Sequence, residues 1–167
     1  MKTGLRGRGY LLGFALLAAA APTPAAAVLC GTVLNPVVAT ATGVAFGMYS
    51  PGAAAATLSN GTVTVSCTST LLSTLPSFTI ALSAGTNGTF SQRKMAFGTA
   101  RLNYNIYTTA AHGTIWGDGT TPTATQTYSS SLGLAQTQFT TYGSVAAHQF
   151  VAPGISYTDG ITVTVTY

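Results

Sequence analysis

Ile161-Thr162-Val163-Thr164-Val165-Thr166-Tyr167 alternates a large apolar residue with a threonine at every step. A period of two puts Ile161, Val163, Val165 and Tyr167 on one face of a pleated strand and the threonines on the other. β-branched side chains also pack well on a pleated surface. Working back along the chain, the same period recurs. Val63, Val65 and Cys67 alternate with Thr62, Thr64 and Ser66, and Phe78, Ile80 and Leu82 form another inward set. Leu102, Tyr104 and Ile106 form a further one, opposed by Asn103, Asn105 and Tyr107.

Turn chemistry separates these runs: Ser50-Pro51-Gly52, Ser59-Asn60-Gly61, Gly85-Thr86-Asn87-Gly88, Gly117-Asp118-Gly119 and Ala152-Pro153-Gly154. No segment after residue 27 carries a helical apolar stripe. Ala53–Ala56 is hemmed in by Pro51-Gly52 and Ser59-Asn60-Gly61, which leaves room for a single turn at most. Many short strands with turns between them predict one all-β domain, an antiparallel sandwich or barrel. The terminal run has no charge or proline to blunt it, so as a sheet edge it is a template for another strand.

The first residues set the compartment. Lys2, Arg6 and Arg8 precede an apolar run from Tyr10 to Ala21, then Pro22, Pro24 and Ala25-Ala26-Ala27. A basic head, a short apolar middle and an A-x-A end predict a cleaved secretory signal over 1–27. The run is shorter than the ~20 apolar residues of a membrane span, so the remaining 28–167 domain is expected not to cross a membrane. The formal charge of the whole chain is +4. Loss of the signal leaves Arg93, Lys94 and Arg101 against Asp118 and Asp159. So few cations do not suit nucleic acid, which is bound through many phosphate contacts. Arg93-Lys94 is expected in a solvated turn or as a local anchor. A surface this poor in charge fits one that is covered by other molecules.

Cys30 and Cys67 are the two cysteines, and an even count in an exported chain predicts a disulfide between them. Zinc does not fit, because His112 and His148 lie at ligand spacing from neither a cysteine nor each other. Catalysis has little to work with. There is no glutamate, and both aspartates sit in turn-like contexts where the carboxylate bonds nearby backbone amides. A Ser–His–Asp set built from His112 or His148 lacks a nucleophile-elbow sequence. The expectation is no enzyme, no cofactor and no metal. Trp116 in Trp116-Gly117-Asp118-Gly119 reads as a core tryptophan before a tight turn, with sugar stacking on an exposed loop as the alternative.

The order and spacing of several short motifs resemble spore coat protein U domains, the pilin-like subunits of archaic chaperone–usher fimbriae. The resemblance spans 30–167. It rests on Cys30, Phe46-Gly47-Met48-Tyr49-Ser50-Pro51, Gly61–Cys67, Arg93-Lys94-Met95 and Leu102-Asn103-Tyr104-Asn105-Ile106-Tyr107. Trp116-Gly117-Asp118-Gly119, Tyr142-Gly143, Gln149 and Tyr157-Thr158-Asp159 complete it. It implies an immunoglobulin-like antiparallel β-sandwich that lacks its last strand. It also implies partners: a periplasmic pilus chaperone that lends a strand, an outer-membrane usher, and a neighbouring pilin subunit whose strand replaces the chaperone's. Export to the periplasm and then to the cell surface follows. On this reading Ile161, Val163, Val165 and Tyr167 line one side of an acceptor groove. Val44 and Phe46, near the first strand, line the other. A stand-alone secreted binding module, adhesive or carbohydrate-directed, is the alternative function.

The chain departs from the family pattern twice. Shaft subunits carry a donor segment before the first cysteine, whereas cleavage after Ala27 leaves only Val28 and Leu29 there. Two residues at ~3.3 Å each do not fill a groove, so a tip or terminal subunit that accepts a strand and donates none is expected. The run Pro153-Gly154-Ile155-Ser156-Tyr157 also holds one residue more than the pattern, which predicts an enlarged loop.

Overall fold

A computed structural model describes residues 28–69, 73–152 and 156–167. The expected signal over 1–27 lies outside these residues, as do positions 153–155 of the enlarged loop. The strands are β1 (Val28–Leu29), β2 (Val37–Thr42), β3 (Thr57–Cys67), β4 (Ser73–Thr74), β5 (Phe78–Leu82) and β6 (Arg93–Phe97). They continue with β7 (Ala100–Tyr107), β8 (Ile115–Trp116), β9 (Thr123–Ala124), β10 (Gln126–Tyr128), β11 (Gln136–Val145) and β12 (Val163–Thr166). A 3-10 turn, Ser130–Leu132, is the one helical element among the described residues.

Two layers face each other. The larger sheet runs β2-β3-β11-β7-β8-β9, with β6 also paired to β7, and the smaller runs β10-β5-β12. All long pairings are antiparallel; only the two-residue pairs β1–β4 and β8–β9 are parallel. The alternating residues behave as their period requires. Val63, Val65 and Cys67 of β3, Phe78, Ile80 and Leu82 of β5, and Leu102, Tyr104 and Ile106 of β7 are all buried. They meet between the sheets with Trp116, Leu75, Met95 and Val145. Of the sandwich and barrel that the strand pattern left open, this is the sandwich, immunoglobulin-like as the family resemblance implied.

Cys30 and Cys67 are bonded across a Cα–Cα distance of 5.8 Å. Cys67 closes the inward row of β3, so the bridge lies in the core. Trp116 is a core residue, as expected, and its indole N–H donates to Ile80 O at 2.9 Å. That bond reaches from the larger sheet to the smaller one and satisfies the ring's single donor.

Of the two expectations for Arg93, the structure shows the local anchor and not the solvated turn. It occupies β6 rather than a turn, and it is 0 % exposed. Its Nε and Nη2 donate to Ser83 O at 3.0 and 2.7 Å, Nη2 also to Trp116 O at 2.8 Å, and Nη1 to Asn105 Oδ1 at 2.6 Å. Asn105, placed on the outward face by its period, is buried for the same reason. Its amide donates to Phe90 O and Ser91 O, so it relays Arg93 to the β5–β6 connection. Burial pulls the guanidinium below its usual value, and Tyr104 and Asp159 oppose that pull. A buried charge is tolerated when its donors are met by well-placed acceptors.

Candidate strand-binding groove

Two strands end the sheets on the same side of the sandwich. β2 pairs with β3 along one edge, and β12 pairs with β5 along one edge. Among the described residues neither is paired along its other edge. Register fixes what each edge shows. Ser83 N donates to Thr162 O at 3.0 Å, and the same register pairs Thr164 with Ala81 and Thr166 with Thr79. In an antiparallel pair the bonded positions alternate, so the N–H and C=O groups of Val163 and Val165 point away from β5, into the open edge. Leu82, opposite Val163, correspondingly donates on its far side, to Gly117 O.

The side chains tell the same story. Ala39 and Ala41 of β2 sit opposite Val65 and Val63, on the inward face. Val65 and Val63 are buried, yet Ala39 and Ala41 are exposed. Ile161, Val163 and Val165 also face inward and are only half-buried. Inward residues at both edges therefore remain in contact with water, while those at the sheet centres do not. Between them runs a groove of about 420 Å³. A further cavity of about 340 Å³, lined by 44–49 and 156–157, shares Val44, Phe46, Met95 and Tyr157 with it, so the groove continues past Phe46.

Each lip is held by a specific contact. Val44 and Phe46 lie just beyond β2, which ends at Thr42. They lie in the connection that follows it. Glycines let this connection settle on the sheet. A Cβ at Gly61 would stand 2.5 Å from Thr42 O, and one at Gly143 would stand 2.5 Å from Val44 Cγ1 and 2.7 Å from Phe46 Cζ. Phe46 then meets Tyr104 edge-on at 6.0 Å. Tyr49 pins the far end of the lip, donating to Ala146 O and accepting from Gln149 N. Gln149 is itself bonded to the backbone of Asn103 in both directions.

The opposite lip crosses from one sheet to the other. Ala96 and Thr158 exchange backbone hydrogen bonds at 2.7 and 3.1 Å, and the chain then joins β5 as β12. Asp159 holds the crossing. Its Oδ1 accepts from Thr86 N and its Oδ2 from Tyr104 Oη, both at 2.8 Å. Gly85, at φ +82, leaves the space the carboxylate fills. Burial, aided by the bond to Asp159, raises the Tyr104 phenol well above its usual value. Asp159 was expected to serve its own turn; its partners instead lie far away in sequence. Asp118 does behave locally, accepting from Thr120 N, Thr120 Oγ1 and Thr123 Oγ1, which lowers its carboxyl.

Of the six residues expected to line an acceptor groove, Val44, Phe46, Ile161 and Val163 line this cavity. Val165 faces inward farther along β12, and Tyr167 is mostly exposed with its ring against Gly31. Leu82, Met95, Tyr104 and Asp159 also line the groove and were not anticipated there. His112 and His148 both adopt positive φ. Among the described residues no group of histidine, cysteine and carboxylate side chains could hold a metal, and no helix is long and apolar enough to cross a membrane. At the disulfide end, Val33 and Leu34 are 98 and 95 % exposed in a loop tied down by Asn35, which bonds Ser73 Oγ and Ser69 N.

A family model for the Spore Coat Protein U domain matches residues 18–164. The chain belongs to the Spore Coat Protein U domain family. No curated protein matches the chain. Among solved structures, it is similar to a chain in the CsuC–CsuE chaperone–tip adhesion subunit pre-assembly complex from archaic chaperone-usher Csu pili of Acinetobacter baumannii. The TM-score is 0.52 at 19% identity, over 81% of this chain and 41% of that one. At that identity the likeness is one of fold. This Spore Coat Protein U domain spans less than half of the chain it matches.

Proposed function

We propose that this protein is a structural or adhesive subunit of a chaperone–usher fimbria or surface coat, assembled by donor-strand complementation. One observation carries the reading: the inward residues of two edge strands, β2 and β12, stay wet along a groove whose backbone edge points outward. A β-strand laid there would bond the exposed N–H and C=O groups of Val163 and Val165 and cover Ala39, Ala41, Val44 and Ile161. Main-chain bonds supply affinity in such β-augmentation, and alternate side-chain pockets supply register. A periplasmic chaperone lends the strand first, and a neighbouring subunit replaces it during passage through an outer-membrane usher. Family membership supports this reading, as does the likeness in fold to a chain of a chaperone–tip subunit complex.

The protein reaches the periplasm after removal of residues 1–27 and then the cell surface. Val28 and Leu29 already pair with Ser73 and Thr74 of their own domain. On our reading a donor segment would precede Val28, and cleavage after Ala27 supports a fibre tip or end as the subunit's position. N-terminal sequencing of the exported protein tests that position; a mature start well before Val28 removes it. The groove reading is tested by periplasmic expression with and without a matching chaperone. Low yield alone and co-purification with the chaperone are expected. Soluble monomer accumulating at equal yield without a chaperone refutes it.

A further inference from the structure

The groove is not apolar throughout. Val44, Leu82, Ile106 and Val163 offer aliphatic surface, but Tyr104 and Asp159 open onto the same space. The Asp159 carboxylate accepts one bond at each oxygen, from Thr86 N and from Tyr104 Oη. A carboxylate offers about four acceptor positions, and the remaining ones have no partner among the described residues. Asp159 is half-buried, so the open groove leaves these positions accessible to water. A strand seated in the groove removes that water, and a carboxylate that loses it without a new donor is strongly disfavoured.

The missing partner is a hydrogen-bond donor rather than a charge. Arg93 and Asp159 already attract each other. Four of the five Arg93 N–H donors bond Ser83 O, Trp116 O and Asn105 Oδ1, and the side chain is fully buried outside the groove lining, so it lends Asp159 charge but no hydrogen bond. An acidic side chain brought here is repelled by Asp159, while the charge of a basic one is partly answered already by Arg93, buried behind the lining. Neutral donors avoid both.

Resting on the strand-acceptor reading, we propose that the Asp159 carboxylate forms a specificity-determining station in the groove. It selects a partner β-strand bearing a hydroxyl or amide side chain at the one inward position that reaches Asp159, with aliphatic residues at its other inward positions. The pocket sequence of the partner is then apolar with a single polar break.

The test uses the full exported chain, refolded with synthetic peptides that alternate valine and serine. Each inward valine is replaced in turn by threonine, its near-isostere, or by aspartate, and affinity is measured. At one position threonine is expected to bind about tenfold tighter than valine, the size of a hydrogen bond to a charged acceptor, and aspartate more weakly than either. Asp159→Asn abolishes the threonine preference while the all-valine peptide still binds, which shows the fold intact. Tyr104→Phe retains the preference, because the acceptor is Asp159. Valine binding as well as threonine at every position of the unaltered protein overturns the proposal but leaves strand acceptance standing. So does a threonine preference that survives Asp159→Asn or disappears in Tyr104→Phe. Failure of every peptide to bind overturns the strand-acceptor reading itself.

Discussion

Proline scanning along β12 separates the bonds the domain keeps for itself from those it offers to a partner. Thr164 pairs with Ala81 in a bonded position, whereas Val163 opposite Leu82 directs its N–H to the open edge. Thr164→Pro removes a donor from the domain's own ladder and leaves Ala81 O unmet, a loss of about 1–3 kcal/mol in the free subunit. Val163→Pro removes no bond within the domain. It keeps a similar apolar bulk at a half-buried position, so the stability of the free subunit is expected to change by less than about 1 kcal/mol. The incoming strand loses one main-chain bond of about 0.5–1.5 kcal/mol and meets the proline ring in its path. Together these weaken strand binding about tenfold or more. Urea unfolding of the free chain and affinity for a valine–serine strand peptide, measured on both variants, give the comparison. The opposite outcome, with Thr164→Pro silent in the free chain and Val163→Pro destabilising, refutes the edge assignment. Equal effects on both quantities refute the register on which it rests.

Arg93→Met keeps the stem volume but removes the side-chain donors to Ser83 O and Trp116 O and leaves Asn105 Oδ1 with Ile106 N alone. Relief from burying a charge offsets part of this, and a net loss of about 3 kcal/mol is expected in urea unfolding. Reduction of Cys30–Cys67, at a sequence separation of 37, is expected to cost about 4 kcal/mol on the chain-entropy model, read as a lower urea midpoint with reductant. Tyr104 keeps its proton in the folded state to higher pH than in the unfolded chain, where it leaves near 10.0. Its contribution is therefore full below that pH and declines as pH rises above it. Urea midpoints followed from pH 9 to 11 should fall more steeply for the unaltered protein than for Tyr104→Phe.

The groove also gives a physical sense to the composition. Asp118 and Asp159 are the two acidic side chains, and Asp159 holds a lip of the groove. The exposed Ala39 and Ala41 belong to the inner face of a strand and would be covered in an assembled state. Val33 and Leu34 form a separate exposed apolar site at the disulfide end, away from the groove lining.

Alternation alone determined much of this protein. The period of two in 62–67, 78–82, 102–107 and 161–167 sorts inward from outward residues correctly at nearly every position, because a strand turns its side chains over with each residue whatever lies beside it. An even pair of cysteines, one of them on an inward row, likewise announced the bridge. What periodicity does not carry is contact between distant segments. The burial of Arg93 and Asn105 depends on carbonyls from Ser83, Trp116 and Phe90 converging on one point. Val44 and Phe46 reach the groove by leaving the strand over Gly61 and Gly143. Asp159 reads locally as a turn residue, yet it is bonded to Thr86 and Tyr104 across separations of 73 and 55 residues. Such placements arise from steric fit and hydrogen-bond satisfaction between elements, and these exist only once the sheets have packed.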